Sequence, residues 1–145
     1  MYRFKLQALL NHRRHQEEIG QKEMAAAQRD LADAQEKLRR IKNDKHANIH
    51  KLKARQKALH NISNIIILIN YIEKLSRKMT AQIQQVDEAS ENATQKRHNL
   101  IAIMKKRKTL EKLKEKEWLD YRQKMMQAER KFNDEVAATR HTRKK

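Results

Sequence analysis

Apolar positions in the first half of the chain recur every seven residues. One series comprises Met24, Leu31, Leu38, Lys45, Leu52, Leu59 and Ile66, and its companion comprises Ala27, Ala34, Ile41, Asn48, Arg55 and Ile62. The two series occupy the a and d positions of a heptad repeat, here called the heptad seam. Because a straight helix drifts out of a 3.5-residue period, this recurrence predicts a left-handed supercoil against a partner helix.

The second half carries the same seam in a phase that has slipped by one residue. Its members are Ile65, Ile72, Met79, Val86, Ala93 and Leu100, with Leu68, Leu75, Ala89, Ile103 and Leu110 in the companion positions. Near the slip, Asn61, Ser63 and Asn64 have side chains that compete for backbone groups and cap helices. We therefore predict helices over about 4–60 and 65–138, a turn over about 61–64 and a basic tail over 139–145.

The apolar pattern changes phase again after Leu110, by four residues. The new stripe comprises Trp118, Tyr121, Met125, Ala128, Phe132 and Val136. Two interpretations stay open. The change is either a stutter that locally unwinds the supercoil or the start of an amphipathic segment with a small stripe of its own.

The distribution of charge favours folding back near residue 63, so that position i faces about position 126 minus i. Residues 37–57 hold nine Lys or Arg and one acid, and residues 96–114 hold eight and one. In a hairpin each basic block lies beside a nearly neutral stretch, whereas a parallel homodimer stacks each block on its own copy. The sequence therefore predicts one all-α domain, a long two-helix antiparallel coiled-coil hairpin.

Composition argues against enzymatic chemistry. The chain has one glycine, no proline and no cysteine, and it contains no glycine-rich phosphate loop, dinucleotide motif or nucleophile elbow. The pairs His12/His15 and His46/His50 have helical spacing but no third ligand at a suitable position. We expect no enzyme activity, no cofactor and no metal site.

The net charge of +17 attracts any polyanion, whether nucleic acid, anionic lipid or an acidic protein surface. Aromatic stacking platforms and nucleic-acid recognition motifs are missing, so no specific nucleic acid is expected. A basic coiled-coil binder of nucleic acid or anionic membrane remains the alternative function. The longest apolar run, residues 65–69, is too short to cross a bilayer, and no signal peptide is recognisable.

Large apolar residues crowd the start of the second predicted helix. They are Ile62, Ile65, Ile66, Ile67, Leu68, Ile69, Tyr71, Ile72 and Leu75. Consecutive residues point all round a helix, so a single partner helix covers only some of them. The cluster predicts an exposed apolar interaction patch, with self-association or a tightly wrapped turn as alternatives.

Three segments carry a resemblance to a known family. They are an opening Phe4-Lys5-Leu6-Gln7-Ala8-Leu9-Leu10 followed by Arg13 and Glu17, a central Asn70-Tyr71-Ile72-Glu73-Lys74-Leu75 and a closing Glu129-Arg130-Lys131-Phe132-Asn133-Asp134-Glu135-Val136. In order and spacing the chain resembles the flagellar export protein family FliJ. More loosely, it is similar to central-stalk coiled coils of injectisome-type secretion systems.

The resemblance implies a non-enzymatic cytoplasmic component of type III export, lying at the flagellar base beside the inner membrane. Residues 1–20 and 118–138 would enter the pore of the hexameric export ATPase and promote its assembly and activity. The side chains implied at this end are Phe4, Leu6, Leu9, Leu10, Arg13, Tyr121, Met125 and Phe132.

The resemblance also implies two further partners. One is the cytoplasmic domain of the export gate membrane protein, which Tyr71 and Leu75 would contact, and the other is the export chaperones. The protein would then reach the membrane through protein partners. We expect a monomer, with a homodimeric structural rod as the competing hypothesis.

Overall fold

A computed structural model describes residues 1–58 and 61–143, and it contains two long helices. Helix α1 spans Gln7–Lys57, with 51 residues, and α2 spans Ile62–Thr142, with 81 residues. The predicted all-α hairpin of two packed helices is confirmed. Its contacts group into two units. Unit 1 combines Met1–Glu18 with Ile101–Lys145, and unit 2 is Ile19–Leu100.

Helix α2 begins earlier than its apolar pattern suggests because Asn61 caps it. The Asn61 Oδ1 accepts a hydrogen bond from the backbone N–H of Ser63 at 3.1 Å. The Asn61 carbonyl accepts from the N–H groups of Asn64 at 3.1 Å and Ile65 at 3.3 Å. An Asn at this position satisfies donors that the first helical turn otherwise leaves free. Residues 62–64, expected in the turn, are therefore helical.

The outer helix ends also differ from expectation. Helix α1 begins at Gln7 rather than near residue 4, after a turn in which the Gln7 N–H donates to the Phe4 carbonyl at 3.2 Å. Helix α2 continues through the first part of the expected basic tail, to Thr142. Leu59, assigned to the heptad seam, and Lys144 and Lys145 of the tail lie outside the described residues.

In unit 2 the heptad seam is the contact between the helices. Every α1 seam residue from Met24 to Leu52 is buried or half-buried, including the polar Lys45 and Asn48. The α2 series from Ile65 to Leu100 is likewise buried or half-buried. The seven-residue spacing therefore predicted which faces of α1 and α2 pack together, even at seam positions that hold polar residues. The next seam position after Leu52, Arg55, is exposed, so the heptad seam of α1 does not extend beyond Leu52.

The register between the helices departs from the expected one towards the turn. The Gln82 side-chain amide donates to the Ala34 carbonyl at 2.9 Å, whereas folding near residue 63 would have put Asn92 there. The Lys96 ammonium pairs with the Glu23 carboxylate at 3.3 Å. In unit 2, each of these two α1 positions therefore lies beside an earlier α2 residue than the sequence predicted.

The heptad seam of α2 continues past Leu110 without a change of phase. Arg107, Lys114 and Tyr121 follow Leu100 at seven-residue intervals, and all three are half-buried. The stutter interpretation is therefore wrong. The stripe from Trp118 onward is instead an additional, largely exposed one. Neither described helix has a stretch long and apolar enough to cross a membrane.

Candidate interaction surfaces

In unit 1 the residues before α1 are fixed on α2. The Tyr2 ring packs on the Tyr121 ring with centroids 5.6 Å apart, and its hydroxyl donates to the Lys114 carbonyl at 3.2 Å. The Lys114 ammonium donates to the Gln7 side-chain oxygen at 2.7 Å. Desolvation, helped by the nearby Glu117 carboxylate, raises the pKa of Tyr2. These contacts hold the amino-terminal segment against one stretch of α2.

A network of charged side chains occupies the seam of unit 1. Arg107 forms an ion pair with Glu17, whose residue surface is only 9% exposed. The Arg107 Nη1 donates to Glu111 at 2.7 Å, and Arg14 reaches the same carboxylate at 3.3 Å. Burial alone would raise the pKa of Glu111, but hydrogen bonds from Arg107 and Arg14 outweigh it and lower this pKa. The network therefore holds Glu111 in its charged form.

The eight residues implied for the ATPase-binding end fall into three groups. Phe4 and Leu10 are buried, and Arg13 and Tyr121 are half-buried; Leu6, Leu9, Met125 and Phe132 are exposed. The buried residues hold the helices together, so the exposed ones are the accessible part of this surface. Phe132 is the most accessible of the eight, at 65%.

The apolar residues in the carboxyl-terminal part of α2 are largely exposed to solvent. Among the described residues 122–143, Val136 alone is as much as half-buried. Trp118, Met125 and Phe132 recur at seven-residue spacing, and we call these three residues the terminal stripe. The Arg122 guanidinium lies 5.5 Å from the Trp118 ring centroid, within cation–π range.

In unit 2 the apolar cluster at the start of α2 is divided between seam and solvent. Leu68 and Leu75 are buried, and Leu75 is only 3% exposed. Tyr71 is 40% exposed. Of the two residues implied for gate binding, Tyr71 is therefore accessible, whereas Leu75 lies in the contact between the helices.

The remaining exposed residues of the cluster lie on two sides of α2. Helical spacing puts Ile67 and Tyr71 together on one side, which we call the Tyr71 flank. It puts Ile62, Ile66 and Ile69 on the other side, which we call the isoleucine stripe. The described residues thus confirm exposed apolar surface at this position, and they separate it into two surfaces.

Tyr71 is oriented by α1. Its hydroxyl donates to the Asp44 carboxylate at 2.9 Å, and this hydrogen bond raises the pKa of Tyr71. The other Asp44 oxygen accepts from the Asn48 amide at 3.0 Å, and the same amide donates to the Asp44 carbonyl at 2.7 Å. No pattern in the sequence predicts this connection, because it depends on the register between the helices.

Chemical sites are not evident in the part of the chain that the structure describes. No group of three or more potential metal ligands occurs among residues 1–58 and 61–143. The rings of His46 and His50 contact each other edge to face, with centroids 5.1 Å apart. That arrangement is a side-chain contact on one helix and lacks the further ligands that zinc requires.

Fold and surfaces together define a class of protein, the helical hairpins that expose large apolar side chains. The family model described as "Flagellar FliJ protein" matches residues 2–145. The chain belongs to the FliJ family, whose members are non-catalytic components of the flagellar export apparatus. No curated protein and no solved structure matches the chain.

Proposed function

We propose that this protein is a stalk-like adaptor of flagellar type III export. It binds the hexameric export ATPase through the terminal stripe and the neighbouring Leu6 and Leu9. It binds the cytoplasmic domain of the export gate through the Tyr71 flank, and it receives export chaperones. The observation that carries the proposal is the exposure of large apolar side chains along the carboxyl-terminal part of α2.

A helix with this surface suits the pore of a ring. A bare α-helix with its side chains is about 10–12 Å across, narrow enough to enter a central channel. Contiguous exposed apolar residues usually mark a site of macromolecular contact. The ion-pair network of Glu17, Arg107 and Glu111 fixes the adjoining pair of helices, so a bound ring would meet a preorganised end.

Stimulation of the cognate export ATPase tests this contact. Met125 and Met126 are adjacent and expose 46% and 47% of their surfaces, but only Met125 belongs to the terminal stripe. We expect Met125→Ser to lower the stimulation several-fold and the matched variant Met126→Ser to preserve most of it. Equal stimulation by the two variants and by the unaltered protein would exclude the terminal stripe as the binding surface.

The gate contact rests on the Tyr71 flank. The Asp44 hydrogen bond restricts the Tyr71 ring, which lowers the entropy lost when a partner covers it. Tyr is among the residues that contribute most to protein–protein binding. Leu75 is buried between the helices, so it stabilises the helix that carries this flank. It does not itself contact a partner unless the helices separate.

Binding to the purified cytoplasmic domain of the gate distinguishes these roles. We expect Tyr71→Ala and Ile67→Ser to weaken binding without loss of helicity, and Ile66→Ser, on the opposite side, to leave it unchanged. Leu75→Ala should weaken binding only together with thermal stability. Retention of full affinity by the Tyr71→Ala/Ile67→Ser double variant would show that the gate does not bind the Tyr71 flank.

A further inference from the structure

The isoleucine stripe is a solvent-exposed surface that the proposed function does not use. Ile62 and Ile66 expose 73% and 50% of their surfaces, and Ile69 exposes 36%. The three residues follow each other at i, i+4 and i+7, so they form one continuous face of α2. Exposed aliphatic side chains grouped in this way usually mark an interaction site.

The sequence around the stripe is basic, and the nearest acid on the same face of α2 is Glu73, one turn beyond Ile69. Between Asp44 and Glu73 there are five Lys or Arg and no Asp or Glu. Helical spacing puts Lys53 and Lys57 on the side of α1 opposite to Asp44. Because the Asp44–Tyr71 hydrogen bond marks the Tyr71 flank, these two lysines lie on the same side of unit 2 as the isoleucine stripe.

We propose that the isoleucine stripe, with Lys53 and Lys57, is a docking surface for an anionic lipid bilayer. The aliphatic side chains enter the boundary between headgroups and acyl chains, as in interfacial amphipathic helices. The lysine ammonium groups extend on their methylene stems to the phosphates of the headgroups. The chain then touches the membrane directly as well as through protein partners.

The chemistry of the surface favours lipid over an acidic protein. Protein–protein contacts are dominated energetically by Trp, Tyr and Arg, whereas this side presents Ile and Lys. An ammonium group is a compact charge that binds phosphate without a fixed geometry, and Arg suits the defined carboxylates of a protein partner better. Branched aliphatic side chains without polar groups likewise match the fluid acyl boundary.

Vesicle flotation with the full chain at physiological salt tests the proposal. Ile66 and Ile67 are consecutive isoleucines, both at least half exposed, and the helix turns by about 100° between them, so that only Ile66 belongs to the isoleucine stripe. We expect binding to vesicles of phosphatidylcholine containing phosphatidylglycerol, and little binding to phosphatidylcholine alone. Loss of one inserted aliphatic side chain in Ile66→Ser should weaken binding about tenfold. Ile67→Ser should stay within about twofold of the unaltered protein, as expected for a side chain outside the bilayer.

A second matched pair separates a local lysine site from attraction by net charge. The variants Lys53→Glu/Lys57→Glu and Lys51→Glu/Arg55→Glu change the net charge equally. We expect the first pair to abolish vesicle binding and the second to reduce it only modestly. Equal loss in the two pairs means that binding follows total charge, and it overturns the proposal.

Insertion can be observed directly because the chain contains no cysteine. Ile66→Cys and Ile67→Cys each provide a single labelling position for an environment-sensitive fluorophore. We expect a blue shift with anionic vesicles for the label at position 66 and none at position 67. Equal shifts, or no vesicle binding by a fully helical chain, would overturn the proposal.

Discussion

At the scale of single residues, the strongest constraints come from polar side chains in the contact between the helices. Arg107 replaces an apolar residue at a seam position, and it is accommodated because Glu17 and Glu111 neutralise it. Partly buried ion pairs of this kind contribute little net stability, but removing one partner leaves an uncompensated charge. These ion pairs therefore determine how the two helices are aligned in unit 1 more than they add to its stability.

Arg107→Ala is expected to lower the free energy of unfolding, because the buried Glu17 carboxylate loses its partner. Urea unfolding followed by circular dichroism measures this loss. The exposed Lys106→Ala is the control and should change stability by less than about 0.5 kcal/mol. The double variant Glu17→Leu/Arg107→Leu should recover most of the loss. Equal stability of the two alanine variants would contradict the structural role of Arg107.

Acid should weaken unit 1 through Glu111. Its pKa in the folded protein lies below the ordinary value of 4.5, so its contribution is fully present above that value. The contribution is lost as the pH falls through the folded-state pKa, because the folded protein then takes up the proton too. Thermal unfolding between neutral pH and pH about 3 should therefore depend less on pH in Glu111→Gln than in the unaltered chain. The exposed Glu91→Gln provides the control.

At the scale of the helices, α2 owes its beginning to a single side chain. The Asn61 side chain accepts a hydrogen bond from the Ser63 N–H, and it thereby stabilises the start of α2. The substitution Asn61→Ala should cost about 1 kcal/mol in the free energy of unfolding. Asn64→Ala, three residues into the helix, should cost much less in the same denaturant titration. Similar losses at both positions would remove the special role of Asn61.

The sequence predicted the helices and the packed faces well because apolar spacing records them directly. It placed the helix start too late because Ile65, the first regular seam residue, follows the cap by four positions. The prediction of a change of phase after Leu110 arose because Arg107 and Lys114 are charged. Their seam positions become recognisable only once their partners on α1 are known. The Asp44–Tyr71 contact depended on the register and had no local signal.

At the scale of the whole molecule, the chain supplies its own partner helix. The described seam residues of α1 and α2 bury one another, so a second copy is not needed to cover them. Light scattering should therefore give a mass near the 17.4 kDa of one chain. A mass of two chains that persists on dilution would support the homodimeric rod instead.

The Gln82 amide that holds the Ala34 carbonyl has a mechanical consequence. It joins a side chain of one helix to a backbone group of the other, and Gln82 is buried. Sliding α1 along α2 would break this hydrogen bond and leave the buried amide without a partner, at a cost of about 1–3 kcal/mol. A force applied along one helix is therefore transmitted to the other, because sliding between them is resisted.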